Sequence, residues 1–240
     1  MRAFLYLFLV AACLACSAPP ANRQAGSQTD ADDDGWRPLF DGTSLTGWHV
    51  YNKGDVSSKW TATQGVLVCD PKKADGIFGD LVTDSSYANF EMELEWRISK
   101  GGNSGIFINV QESPAYAATF ATGLEMQLLD NAYAEHRHQI DSTHWAGCLY
   151  AVDCFGKNSA PTPHGEWNKS RIVQQDGKVS FWLNGKLTFE AETKTEAFKN
   201  KVSSTSMKAY PDFGKQASGK IALQNHTDSV SFRNIRIRTL

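Results

Sequence analysis

Apolar and polar residues alternate along most of the chain after Trp36, and the alternation has the period of a strand. In residues 89–98 (NFEMELEWRI), Phe90, Met92, Leu94, Trp96 and Ile98 fall on one side, and Glu91, Glu93, Glu95 and Arg97 on the other. A helix of that sequence would spread its apolar residues around the whole circumference, so the segment predicts a strand with one buried face. Ile106, Ile108 and Val110 repeat the pattern, as do Leu124, Met126 and Leu128, and then Val179, Phe181 and Leu183. Turn residues punctuate these runs at Gly101-Gly102-Asn103, Asp176-Gly177, Asn184-Gly185 and Pro211-Asp212-Phe213-Gly214. Residues 179–189 read as a hairpin closed by Asn184 and Gly185. Only residues 190–201 have a helical composition, with poor periodicity, and no solenoid or propeller repeat is present. Many short strands in about 200 residues predict an all-β, single-domain fold over residues 35–240, a β-sandwich or jelly roll.

The first 34 residues follow a different pattern. Arg2 precedes an apolar block, residues 3–12, which reads as a secretory signal. Cys13 and Cys16 each follow small residues at the end of that block, as in a bacterial lipoprotein signal over residues 1–16. Val10-Ala11-Ala12-Cys13 matches the usual lipidation pattern, whereas Cys16 gives a more ordinary apolar length and is followed by Ser17, so either cysteine is a candidate for lipidation. Residues 17–34 (SAPPANRQAGSQTDADDD) hold no aromatic residue and no aliphatic one larger than alanine. With nothing to bury, such a segment cannot offset the entropy of ordering and reads as a disordered linker. The expectation is an exported periplasmic or outer-membrane lipoprotein of a Gram-negative bacterium, held to the membrane by a lipid anchor. Three cysteines remain, Cys69, Cys148 and Cys154, without metal-site spacing. A Cys148–Cys154 bridge is allowed in an oxidising compartment, but buried free thiols are the favoured reading.

The chain has 240 residues, with 24 basic and 26 acidic side chains and a net charge of −2. That balance lacks the basic footprint of a nucleic-acid binder. No apolar run reaches the roughly 18–20 residues of a membrane span.

Candidate chemistry concentrates on residues 124–130 (LEMQLLD). Glu125 and Gln127 share a strand face opposite Met126 and Leu128; Asp130, five residues from Glu125, points the other way unless a bulge re-aims it. A retaining glycosidase needs two carboxyls roughly 5–5.5 Å apart. The residue two positions on from Glu125 is an amide, so a carboxylate pair on this strand is disfavoured. Asn103 and Ser104 lie in a tight turn and have donors suited to sugar hydroxyls. His136, His138, Asp141 and His144 fall within nine residues. His136 and His138 at strand spacing would suit a metal, although a histidine-rich surface loop is commoner. No cofactor is required by the sequence, and a divalent metal stays open. Trp145, Tyr150, Trp167 and Trp182 are core residues or a sugar-stacking platform, with core favoured for most.

Taken together, these segments resemble the 3-keto-disaccharide hydrolase family. The resemblance rests on residues 36–48 (WRPLFDGTSLTGW), 101–106 (GGNSGI), 123–131 (GLEMQLLDN), 147–150 (GCLY), 165–168 (GEWN), 182–185 (WLNG) and 219–238 (GKIALQNHTDSVSFRNIRIR), in that order. It implies a concanavalin A-like jelly roll. It also implies cleavage of a glycoside whose sugar a partner oxidoreductase has first oxidised to a 3-ketone. A 3-ketone acidifies the proton on carbon 2, so one base suffices for β-elimination of the aglycone, and water then completes a net hydrolysis. The resemblance makes Glu125 the preferred acid/base, with Asp130 orienting the site or serving as a second carboxylate. His144 and His226 are drawn towards the groove, His144 as a catalytic candidate, and Asn103, Gln127, Tyr150, Trp167 and His226 bind the small carbohydrate substrate. Asn109 departs from the family pattern, where an arginine is common, and so do Cys148 and Cys154. The second reading, from another class, is a non-catalytic, lectin-like carbohydrate-binding module.

Overall fold

The computed structural model describes residues 34–240. The signal segment, both candidate lipidation cysteines and all but the last linker residue lie outside the described residues. No helix among the described residues is long and apolar enough to cross a membrane.

Among the described residues, thirteen strands form two antiparallel sheets. They are β1 (Arg37–Pro38), β2 (Trp48–Val50), β3 (Trp60–Thr63), β4 (Val66–Cys69), β5 (Leu81–Thr83), β6 (Phe90–Ile98), β7 (Asn103–Val110), β8 (Leu124–Leu129), β9 (Asn168–Gln175), β10 (Lys178–Leu183), β11 (Lys186–Glu192), β12 (Lys220–Leu223) and β13 (Val230–Thr239). The large sheet runs β11-β10-β9-β6-β13-β4-β3, with β1 also paired to β13; the small sheet runs β2-β5-β12-β7-β8. The inward faces meet in one core that includes Leu94, Trp96, Ile106, Met126, Phe181 and Phe232, all at or near complete burial. Each such side chain contributes about 1.5–3 kcal/mol of transfer free energy. This is the all-β, single-domain sandwich that the alternation predicts.

The outward face of β6 is a charge ladder. Glu91 meets Arg171 and Arg238, Glu93 meets Lys169 and Arg236 at 2.9 and 2.7 Å, and Glu95 meets Arg233 at 2.7 Å. The anticipated hairpins form as well. Asn184 and Gly185 link Leu183 to Lys186, and Asp176 and Gly177 link Gln175 to Lys178, all four loop residues having positive φ.

Three expectations are corrected. The segment read as helical divides: Glu190–Glu192 end strand β11, and the helix is Glu196–Ser203, started by the Thr195 hydroxyl, which accepts from Phe198 N–H. Val110 does not share a face with Ile106 and Ile108. Asn109 takes φ 61° and the β7–β12 register shifts beside it, so Val110 joins a second apolar cluster with Tyr51, Val82, Phe107 and Ala222. Asn109 itself is buried, its side-chain amide donating to Gln174 Oε1 of the large sheet at 2.7 Å. Finally, Cys148 and Cys154 are not free thiols but a disulfide with Cα atoms 4.8 Å apart, leaving Cys69 as the buried free thiol among the described residues.

Candidate active site

The outward face of the small sheet changes character along its strands. Across β7 and β8, Phe107 pairs with Glu125 and Gly105 with Gln127. Gln224, just past the end of β12, donates its backbone N–H to Gly105 O at 2.9 Å. One half of this face is therefore polar, carrying Asn103, Glu125, Gln127 and Gln224, and the other half is the Phe107 cluster. Beyond β8 the chain adds a short bonded segment: Gln127 N–H donates to Cys148 O at 3.0 Å, and Tyr150 N–H to Glu125 O at 3.1 Å. The disulfide closes the loop that carries Tyr150.

These elements bound a cavity of about 450 Å³. Its floor is Asn103, Glu125, Gln127 and Gln224; Tyr150 and Arg137 form one wall, Phe120, Met207, Ala209 and Tyr210 another, and His226 stands at the exposed rim. Glu125 is 6 % exposed, and its carboxyl lies against Gly105. Burial, reinforced by the charge of Asp80, raises its pKa well above the ordinary carboxylate value. Asp80 is also raised by burial, against the opposing hydrogen bonds of the Thr119 hydroxyl and the Asn225 N–H. Gln127 donates Nε2–H to Asn103 Oδ1 at 3.0 Å, which leaves the Asn103 amide nitrogen free to donate elsewhere. Gln127 Oε1 and Gln224 Oε1 are buried and have no partner within the protein. Two unpartnered acceptors at a cavity floor are suited to hydroxyl groups of a ligand.

The structure thus brings Asn103, Glu125, Gln127, Tyr150 and His226 to one cavity. His144 stands behind it, stacked on the Tyr150 ring with centroids 4.7 Å apart. Asp130 does not line it. Its carboxylate accepts from Gly101 N–H at 2.9 Å and from Ala132 N–H at 3.3 Å, with His164 Nδ1 at 3.2 Å, so it braces the turn before β7. Trp167 is corrected from a substrate platform to the large sheet, where the guanidinium groups of Arg97 and Arg233 sit 4.8 and 4.0 Å from its ring centre. Trp145, Trp167 and Trp182 are each only partly buried, against the core expectation.

The histidine cluster brings the His138 and His144 rings together, with centroids 5.0 Å apart, but gathers no third ligand among the described residues. Residues 136–139 form a helical turn (α1, His136–Gln139) rather than a strand, so His136 is exposed while His138 is buried. Asp141 Oδ2 lies 3.7 Å from His144 Nε2, and among the described residues no three such side chains are placed to hold a metal ion. Burial and the neighbouring Arg137 push the His138 pKa down to about 4.

Sequence reasoning missed Arg137, Gln224, Phe120, Tyr210 and Asp80. Gln224 had a signal, since it alternates with the core residues Ile221 and Leu223. Phe120 and Met207 come from single turns of 3-10 helix with no periodicity to read.

Residues 35–238 match the family model described as a 3-keto-alpha-glucoside-1,2-lyase-like domain. A 3-keto-disaccharide hydrolase of Bacteroides thetaiotaomicron is 32% identical over 237 residues, covering 89% of this chain and 81% of that protein. A crystal structure from Parabacteroides distasonis, provisionally described as a glycosyl hydrolase, superposes with a TM-score of 0.75 at 34% identity, covering 86% of this chain and 94% of that one. A Bacillus subtilis protein with a galectin-like fold, 10% identical with a TM-score of 0.51, covering 85% of this chain and 94% of that one, shares the architecture alone.

Proposed function

The chain belongs to the family of 3-keto-alpha-glucoside-1,2-lyase-like domains, and from that premise we propose that it cleaves glycosides whose sugar carries a ketone at carbon 3. One observation carries the reading: a single buried carboxyl, that of Glu125, lies on a cavity floor otherwise made of amides. A carboxylate-pair glycosidase would need a second carboxyl facing it across the bond. The cavity lining supplies none, and Asp80 is engaged by Thr119 and Asn225.

Glu125 removes the proton from carbon 2, which the neighbouring ketone acidifies. A carboxylate whose pKa is raised towards that of its target proton is a better base than an ordinary one. The Asn103 amide nitrogen, left free by the Gln127 bond, donates to the ketone oxygen as negative charge develops there. Gln127 Oε1 and Gln224 Oε1 accept from sugar hydroxyls. The electron pair left on carbon 2 forms a double bond to carbon 1, the aglycone leaves with its bonding pair and takes up a proton, and water adds across the resulting enone. The sum is hydrolysis.

An oxidoreductase that makes the 3-keto sugar acts first in this reading. Export and lipidation at Cys13 or Cys16 would place the domain where the glycosides arrive. The test is to incubate the purified domain with a 3-keto glycoside and with its unoxidised parent. Aglycone release from the keto form alone, lost in Glu125→Gln, is the expected result. Binding without release returns the lectin-like reading, and release from the parent points to an ordinary glycosidase.

A further inference from the structure

The cavity that holds Glu125 is divided by chemistry. All of the floor amides, with both unpartnered acceptor atoms, are on one side. The wall of Phe120, Met207, Ala209 and Tyr210 offers only the Ser206 and Tyr210 hydroxyls as polar side-chain groups. Phe120 packs on the cluster containing Phe107, the residue opposite Glu125 on β7, so the apolar region begins beside the base. The ring of Phe120 meets that of Tyr210 edge-on with centroids 5.1 Å apart.

This wall is fixed before any ligand arrives. The Thr119 hydroxyl donates to Asp80, the Thr122 hydroxyl accepts from Gln111 N–H at 2.9 Å, and Gly214 N–H donates to Thr122 O at 3.0 Å. The Tyr116 hydroxyl donates to Asp212 at 3.0 Å, tying the Phe120 segment to the chain just beyond Tyr210. A second sugar ring on this wall would find only the Ser206 and Tyr210 hydroxyls as side-chain partners for its own hydroxyls, and any hydroxyl it buries unpaired costs desolvation. A flat apolar group would strand none.

Resting on the reading above, we propose that Phe120, Met207 and Tyr210 form the aglycone subsite and that the preferred substrate is a 3-keto glycoside with an aromatic or otherwise apolar aglycone.

The experiment uses Glu125→Gln protein, so that binding is read without turnover. Calorimetry compares a 3-keto phenyl glucoside with a 3-keto disaccharide. The expected result is about tenfold or more tighter binding of the phenyl compound, from burial of one ring. Adding Phe120→Ser should abolish that preference, and adding Phe120→Leu, which keeps the wall apolar and serves as the folding control, should retain most of it. Equal or reversed affinities, with wild-type protein releasing aglycone from both compounds, overturn the subsite while leaving keto-glycoside cleavage in place. Failure of wild-type protein to release aglycone from either compound overturns the cleavage reading and the subsite with it.

Discussion

The carboxyl of Glu125 rests on the backbone of Gly105: a β-carbon at position 105 would lie 2.3 Å from Oε1 and 2.9 Å from both Cδ and Cγ. Gly105, within strand β7, is therefore required by the candidate base. It lets a long acidic side chain lie low between β7 and β8, where burial raises its pKa.

Gly105→Ala should consequently displace Glu125 without unfolding the sheet. The expected outcome is a loss of at least about tenfold in kcat/KM on a 3-keto glycoside with about 1–3 kcal/mol of destabilisation from overpacking. Steady-state kinetics and denaturant unfolding on the same preparation check it, and unchanged kinetics would remove Glu125's position from the mechanism.

The raised pKa of Glu125 has opposite consequences for activity and stability. As a base it must be ionised, so kcat/KM should climb with pH through a limb centred well above the ordinary value of 4.5. Because the folded state binds this proton more tightly than the unfolded chain, wild-type stability should fall as pH rises from that ordinary value to the folded one. Glu125→Gln lacks this term, so its stability advantage over wild type should grow across the same window; a difference that stays flat with pH contradicts the assignment.

His49 contacts Asp84 through Nδ1 and Glu112 through Nε2, and Glu112 also accepts from Asn52 N–H at 2.8 Å and pairs with Lys220 at 3.2 Å. Burial lowers the His49 pKa, but the bonds to Glu112 and Asp84 outweigh it and leave the pKa above 6.5. The stabilisation is fully present below 6.5 and is lost as pH rises through the folded value. Thermal melts of wild type and His49→Gln should therefore converge as pH rises from 6.5 through the folded value. Parallel curves would show that the clasp does not titrate.

The Cys148–Cys154 bridge closes the loop holding Tyr150, whose N–H bonds to Glu125 O. Loop-closure entropy for so short a ring is worth about 2 kcal/mol. Replacing both cysteines by serine should lower the melting temperature and loosen Tyr150, raising KM for the keto glycoside more than it lowers kcat. An unchanged KM would make the bridge purely structural.

Much of this protein was legible in its sequence because strand periodicity is local. Residues 89–98 could bury Phe90 through Ile98 in alternation only as a strand, and the Asn184-Gly185 and Asp176-Gly177 pairs specified their hairpins through positive φ. Glu125 and Gln127 fall on one face for the same reason. Local pattern failed where a single backbone angle changed the face, as at Asn109, or where a short helical turn replaced an extended run, as at His136 and His138.

The two-sided strands, the hairpin turns, and Glu125 beside Gln127 on one strand face were set by local sequence alone. Tertiary structure alone decided that Gln224 and Arg137 line the cavity with Glu125 while Asp130 and Trp167 do not, and that Phe120 and Met207 close one side of it. Strand pairing joins residues far apart in the chain: Ala222 of β12 sits beside Phe107, and Phe107 beside Glu125. Periodicity fixes which face a side chain occupies, whereas its neighbours across the sheet depend on register, and register is set by packing of the whole core.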